Sequence, residues 1–381
     1  ATGYHYEESS MAAEGIPLES AKWNALSKEN VSLLDEWNSG LIEKQLLSYM
    51  FRVNYDYNNK YLLTVSGRWD GASQLAEGNK WAFFPSAALG WRLDQEEFLK
   101  DVTWLNQLKF RLGVGVTGNS AIDPYQTKGA IVSLYYPFGA TLAPGYAASE
   151  PLIKDGAVAM ANKDLSWEKT TQYNIGLDYS VLNGRISGVL DFYTSRTTDL
   201  LMAMTIPSLN GYTNPYANVG KTSNIGVDIT LNTVNIKTRD FEWSTSINAA
   251  WQKDKIDELA NGKEDDINNN WFIGQALGVI YGYECGGLWK EEDAAEMAKF
   301  NAKGHSFQAG MVRPVDQNGD YKIDPNDDRV IIGHTRPRWT FGMTNTFTYK
   351  NFDLSVMMYG RFDYMVDTGG EWQGGRYMQR K

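Results

Sequence analysis

The feature that most constrains this chain is a period of two, sustained over stretches longer than ordinary strands. In "LLSYMFRVNYDY" Tyr49, Phe51, Val53, Tyr55 and Tyr57 fall on one face, and Ser48, Arg52, Asn54 and Asp56 on the other. In "LKFRLGVGVTG" Leu108, Phe110, Leu112, Val114 and Val116 oppose Lys109, Arg111, Gly113, Gly115 and Thr117. In "TQYNIGLDYSV" Tyr173, Ile175, Leu177, Tyr179 and Val181 oppose Gln172, Asn174, Gly176, Asp178 and Ser180. Successive side chains of a strand point to opposite faces, so each segment is a ribbon with one apolar and one polar side. About ten such strands are expected, over 45–57, 61–69, 82–93, 107–118, 167–181, 185–196, 222–235, 241–253, 336–349 and 352–364. Many exceed the usual strand of about 5–6 residues. They match the roughly 9–11 residues that cross a bilayer at a tilt.

The connections sharpen this reading. Those at 58–60, 182–184, 236–240 and 350–351 are short, and the one at 94–106 is intermediate. Those at 70–81, 119–166, 197–221 and 254–335 are longer, and the two kinds alternate strictly. A transmembrane antiparallel barrel joins its strands in this way, with short periplasmic turns and long extracellular loops. A large soluble β-sandwich or propeller is the competing architecture. The chain shows no blade signature at a fixed period of about 40 residues, and nothing in a sandwich requires the alternation.

Composition excludes several classes. The 381 residues carry a formal net charge of −10, which argues against nucleic acid as a partner, since that needs clustered Lys and Arg. Aromatic residues make up 13%, too many for a disordered chain. The single Cys285 excludes an intrachain disulfide, and three scattered histidines (His5, His305, His334) argue against a transition-metal site. No stretch approaches the roughly 18–20 apolar residues of a membrane helix. The opening "ATGYHYEESS" has no signal-peptide character. The chain is therefore either soluble or a piece of a longer protein whose targeting segment lies elsewhere.

On the barrel reading, Arg52, Asn54, Asp56, Arg68, Lys109, Arg111, Asn174 and Asp178 face a wet lumen, because charges are costly in hydrocarbon. The apolar faces meet outer-membrane lipid. Trp91, Trp104, Trp167, Trp243, Trp251 and Trp339, all near strand ends, are expected as interfacial girdles.

Four blocks, in order, carry a resemblance. They are "NNKYLLTVSGRWDGAS" with "WAFFPSAALGWRL" and "LKFRLGVGVTGN"; "LSWEKTTQYNIGLDYSVLNGRISGVLDFY" followed by "TDLL"; "NVGKTSNIGVDITL"; and "DDRVIIGHTRPRWTFGMTNTFTYKNFDLSVMMYG". Together they resemble the barrel of SusC/RagA-type TonB-dependent outer-membrane transporters. The resemblance implies part of a 22-stranded barrel that, in the whole protein, is closed by a plug. Nothing in this sequence resembles the plug or the TonB box. The chain is thus expected to be an internal piece in which residues 1–44 form an extracellular loop. The resemblance also implies import of oligosaccharides, or of peptides by the same architecture. It implies a SusD-like surface lipoprotein as a lid, energy delivered by TonB, a bacterial outer-membrane location and no enzymatic step. A passive porin or adhesin, and a soluble glycan-binding protein or enzyme, are the alternatives. An enzyme of that kind would show a carboxylate pair, and none stands out.

Within 254–335 the stretch "VDQNGDYKIDPND" has the spacing of a calcium loop. Asp316, Asn318 and Asp320 occupy positions 1, 3 and 5, Lys322 offers its carbonyl at 7, Asp324 is at 9 and Asp327 at 12. Calcium takes six to eight hard oxygens, which this spacing gathers. The departure is Tyr321 at position 6, where glycine is usual, and neighbouring Asp328 is a substitute for Asp327. A structural calcium would staple the loop; a metal-free Asp/Asn/Gly turn is the simpler alternative. "KEEDAAEMAKFN" (290–301) reads as a short helix with acids at its start, and 262–271 as a solvated acidic tip. Ligand contacts are expected from loop aromatics and amides: Trp69, Asp70, Trp81, Asn210, Tyr212, Asn214, Tyr216, Asn270 and Trp271. Loop packing is the alternative for each.

Overall fold

A computed structural model describes residues 2–9, 40–124, 127, 131–138, 141–148, 161–203 and 216–366. Among these the strands are β1 (Thr2–Ser9), β2 (Gly40–Tyr57), β3 (Tyr61–Ala72), β4 (Trp81–Arg92), β5 (Leu105–Asn119), β6 (Ile131–Phe138), β7 (Thr141–Ala148), β8 (Glu168–Val181), β9 (Ile186–Thr198), β10 (Leu201–Ala203), β11 (Tyr216–Asn218), β12 (Lys221–Lys237), β13 (Phe241–Glu258), β14 (Val279–Tyr283), β15 (Cys285–Leu288), β16 (Val312–Pro314), β17 (Arg329–His334), β18 (Trp339–Tyr349) and β19 (Phe352–Phe362). Eleven form one sheet in the order β1-β2-β3-β4-β5-β8-β9-β12-β13-β18-β19. The remaining eight pair as β6–β7, β10–β11, β14–β17 and β15–β16, all within the long connections.

A strand stands over each of the ten expected segments. The main difference is at the start. Residues 1–44 were expected as loop, yet β1 pairs antiparallel with the first part of β2, from Thr2↔Leu47 to Ser9↔Gly40. No clean alternation marks "TGYHYEES", so only the pairing partner reveals this strand. The turn between β2 and β3 has the left-handed backbone that a tight hairpin needs. Asn58 and Asn59 have φ of 53° and 55°, and the Asn59 N–H donates to Asp56 Oδ1 at 2.7 Å.

The chain divides into two compact units, Ala1–Asp178 with Tyr193–Thr222, and Tyr179–Phe192 with Ser223–Lys381. In the first, the register runs Tyr57↔Tyr61, Tyr61↔Trp91 and Trp91↔Phe110, so β2 to β5 share their turn end. At the opposite end Ala72, Leu75, Phe84, Ile122, Leu165 and Trp167 bury one another. Trp167 is 4% exposed, packs edge-on against Phe84 at 5.3 Å and donates its indole N–H to the Lys80 carbonyl at 2.9 Å. The expected girdle role of Trp167 is therefore corrected. It is a core residue, and its polar atom is satisfied by a backbone oxygen it meets only through loop packing.

In the second unit β13 pairs with β18 and β18 with β19, both antiparallel. The connection between β13 and β18 folds into a lobe of its own. β14 and β17 form its base. Beyond them, β15 with β16 and helix α1 (Ala294–Ala302) enclose Trp289, Met297 and Phe300, with Phe307, Tyr321 and Ile323 against them. The sequence signalled the helix but not the tryptophan-centred core.

Candidate functional site

The geometry of the first unit begins with its apolar face. Residues directly opposite on neighbouring antiparallel strands share a side. Tyr49 lies opposite Trp69, Trp69 opposite Phe83, and Gly71 opposite Trp81, which puts all four rings on one face. Tyr49 stacks on Trp81 at 6.1 Å, Trp69 meets Trp81 edge-on at 6.4 Å, and Phe51 stacks on Phe83 at 6.5 Å. Two glycines make room for them. A Cβ at Gly71 would sit 2.6 Å from the Trp81 ring, and one at Gly67 would sit 2.5 Å from that of Phe51. The turn end carries a second band, in which Tyr57 stacks on Tyr61 at 6.5 Å and Trp91 stands opposite Tyr61. Between the bands the same face shows Val53, Leu63, Val65, Ala87 and Leu89. This is an apolar belt between two aromatic girdles.

The other face is polar and internally paired. Arg68 donates to both Asp70 oxygens, at 2.6 and 2.7 Å, and reaches Ser48 Oγ at 3.1 Å. Arg111 pairs with Asp178 at 2.8 Å, Thr64 bonds Asn54 at 3.0 Å, and the Ser66 and Ser86 hydroxyls lie 2.6 Å apart. Such a face suits a water-filled bore, where charged side chains keep hydration.

At the turn end two carboxylates tie connections to strands. Glu96 accepts from Tyr61 Oη (2.8 Å), Trp91 Nε1 (3.0 Å) and Lys60 Nζ (3.3 Å). The Trp91 and Tyr61 hydrogen bonds, with Lys60, hold its carboxyl below the ordinary range. Asp94 accepts from Arg92, Gln95 and the Leu108 N–H. Burial alone would raise its pKa, but those bonds outweigh it and the net direction is down.

The calcium-style loop is held by its own side chains. Asp316 accepts the Gly319 and Tyr321 N–H groups at 2.7 Å each, and Asp320 accepts the Lys322 N–H at 2.7 Å. Asn318 Oδ1 accepts the Asp320 N–H at 3.0 Å, and Asp324 accepts from Asn326 and Asp327 at 2.9 and 3.2 Å. Tyr321 takes the left-handed conformation that the sixth position demands, with φ of 65°. Lys322 Nζ also bonds Asp324 at 2.9 Å, and this bond keeps the Asp324 carboxyl low and the Lys322 ammonium high. Among the described residues no three His, Cys, Asp or Glu side chains come close enough to share an ion. A calcium here would have to draw the carboxylates inward. Sequence reasoning gave Asp328 a substitute's part only. It is 0% exposed and accepts the Gln317 and Asp324 N–H groups at 2.8 Å each, which makes it the anchor of the loop. Arg313 was not singled out, and His305 was read only as one of the scattered histidines. Arg313 lies 4.6 Å over the Trp289 ring and bonds Glu296 at 2.9 and 3.0 Å, while His305 Nε2 accepts the Ile323 N–H at 2.9 Å. No local pattern announces either, since their partners are distant in sequence.

The expected ligand contacts separate. Trp69 and Trp81 come together, on the apolar belt face rather than the polar one. The strand runs three residues past the expected end at Trp69, to Ala72, so Asp70 also lies within it. Asp70 faces the polar side, 7% exposed and committed to Arg68. Tyr216 is partly exposed in β11, and its carbonyl accepts from Asn162. Asn270, in the left-handed conformation, and Trp271, whose backbone bonds Asp266, cap a short turn in the second unit. Asn210, Tyr212 and Asn214 lie outside the described residues.

Comparison with known proteins follows the same lines. The profile described as "TonB dependent receptor-like, beta-barrel" matches residues 21–380. The TonB-dependent receptor SusC of Bacteroides thetaiotaomicron is 34% identical over 357 residues, 88% of this chain and 33% of that protein. TonB-dependent receptor P26 of Formosa agariphila is 33% identical over 359 residues, 91% of this chain and 35% of that protein. Among solved structures, the RagAB peptide importer in the open-open state superposes with a TM-score of 0.72 at 24% identity, over 95% of this chain and 38% of that one. That likeness concerns the fold. The chain spans about a third of the length of these relatives.

Proposed function

The chain belongs to the TonB dependent receptor-like β-barrel family, is SusC/RagA-like and resides in the outer membrane, and from that premise we propose that it forms part of the wall of an oligosaccharide importer. The observation that carries this reading is the two-faced sheet, with an apolar belt between aromatic girdles on one side and paired Arg, Asp, Asn and Ser on the other. A wall of that kind holds a hydrated path through lipid. It makes and breaks no bonds, so the work of import falls to gating and to TonB acting on parts of the protein outside this chain.

On this reading the long connections face the cell exterior, where a SusD-like lipoprotein closes over ligand. The 34% identity to SusC supports the oligosaccharide, with a peptide as the alternative. Ligand contacts then fall to Tyr216, Asn270 and Trp271 and to Asn210, Tyr212 and Asn214. Asp316, Asn318, Asp320, Lys322, Asp324 and Asp327 would hold a structural calcium, supported by their spacing and by the conformation of Tyr321.

The test is purification of the intact transporter from detergent-solubilised outer membranes, followed by mass spectrometry of what it retains. A SusD-type lipoprotein with a bound oligosaccharide is the expected result. Retained peptide with no glycan would overturn the substrate class.

A further inference from the structure

The connection from Leu93 to Trp104 joins β4 to β5 at the turn end of the first unit. It is too long for a hairpin turn, and it is folded. The N–H groups of Glu96, Leu99, Val102 and Leu105 donate to the carbonyls of Leu93, Glu96, Leu99 and Val102, at 3.0 to 3.2 Å. These bonds make a chain of tight turns. Leu93, Glu96, Leu99 and Val102 are half-buried, while Phe98 and Trp104 stand out, 69% and 57% exposed. Large apolar groups held outward by a folded segment call for a partner surface.

The connection folds toward the apolar face of the sheet. Tyr61 and Trp91 stand opposite each other on that face, in the turn-end girdle. Both give their polar atoms to Glu96, which accepts from Tyr61 Oη at 2.8 Å and from Trp91 Nε1 at 3.0 Å. The carboxylate therefore sits at the belt side of the wall, two residues before Phe98. Asp94 fastens the start of the connection by accepting the Leu108 N–H of β5 at 3.2 Å. Charged side chains set how deep the segment can lie. Glu97 and Lys100 pair at 3.1 Å, both well exposed, and Asp101 is exposed. Such charges are excluded from hydrocarbon but stay hydrated among headgroups. Phe and Trp beside them suit the same level.

We propose that the Leu93–Trp104 connection is a membrane-surface foot. Phe98 and Trp104 insert among the phospholipid headgroups of the periplasmic leaflet, and Glu96 is the positioning residue that clasps the foot to the wall. Continuity favours lipid as the occupant, because the clasp bonds two rings of a girdle that already meets lipid. The inference rests on the wall reading above and is independent of the transported substrate.

The experiment uses the intact transporter in its native outer membrane. A benzophenone-bearing residue is placed in turn at positions 98, 104, 53 and 54, and mass spectrometry identifies what each captures on irradiation. Phospholipid is expected at 98 and 104 and at 53, between the girdles, but not at 54 on the polar face. Capture of lipid at 53 with none at 98 and 104 refutes the foot and leaves the wall standing. No lipid at 53 refutes the wall reading, and the foot with it. Protein, or the glycolipid of the outer leaflet, captured at 98 and 104 refutes the proposed occupant. In a Glu96→Ala background the three charge-assisted bonds are gone, and lipid capture at 98 and 104 should fall about threefold relative to 53. An unchanged ratio would take the positioning role from Glu96.

Discussion

Trp243 and Trp251 stand on the same side of β13, eight residues apart, and each meets a ring of β18. Trp243 stacks on Phe347 at 5.7 Å, and Trp251 contacts Trp339 at 6.4 Å. Eight residues of strand span about 26 Å, or roughly 20 Å along the normal at a barrel's usual tilt. In the first unit Tyr61 and Trp69 on β3 are also eight apart and lie in its two girdles. The same ruler thus recurs in both units, and it matches the apolar height of an outer-membrane wall.

The midpoint of that ruler is the place to test it. Val53, opposite Val65, lies between the two bands on the apolar face. Val53→Arg should destabilise the folded wall by about 2–4 kcal/mol. Asn54→Arg, one residue away on the polar face, should change stability by no more than about 0.5 kcal/mol. Urea titration of the protein refolded into vesicles would show the difference; equal effects would remove the lipid-facing assignment.

Acid should loosen the turn end first. Glu96 and Asp94 have folded pKa values below their ordinary values of 4.5 and 3.8. A depressed carboxylate stabilises the fold above its unfolded pKa, and that contribution is lost as pH falls through the folded value. Protection of the 93–106 connection against hydrogen exchange should therefore hold from neutrality down to the unfolded pKa values and fall below them. Glu96→Gln should flatten the part of this dependence that belongs to Glu96.

Asp328 is the anchor whose loss the lobe should feel most. Asp328→Ala leaves the Gln317 and Asp324 N–H groups without their acceptor, at a cost of roughly 2–4 kcal/mol. Limited proteolysis should then cut within 316–328 far faster than in wild type. An unchanged digestion pattern would mean that the loop is held by something else.

Calcium can be separated from that anchor. If the six spaced residues bind it, calcium should raise the melting temperature of the lobe, chelator should reverse the rise, and Asp316→Ala should abolish it. Coincident melts with and without chelator would leave a metal-free turn.

Substrate contact divides the aromatic residues. Trp271→Ala and Tyr216→Ala should weaken oligosaccharide binding by about 0.5–1.5 kcal/mol each. Trp69→Ala, in the outer girdle, should leave affinity unchanged. Calorimetric titration of the intact transporter distinguishes them, and a loss at Trp69 alone would reverse the facing of the sheet.

Period two was enough to say which residues of a strand share a side. Tyr49 with Phe51 and Val53, or Asn174 with Asp178, were grouped correctly because the pleat is a local property of the backbone. The order of short and long connections was legible for the same reason, since a chain that must cross and return writes its turns at regular intervals. The sequence alone therefore determined a two-faced antiparallel wall and the spacing of its crossings. Only the tertiary structure decided that β1 joins that wall, that Trp69 packs against Trp81, that Trp167 is buried and that Asp328 anchors the lobe. Each of these depends on a partner distant in sequence: β2 for β1, Trp81 for Trp69, Lys80 for Trp167 and Gln317 for Asp328. Pairing register and loop packing are settled by such non-local contacts, which a pattern of alternate residues does not encode.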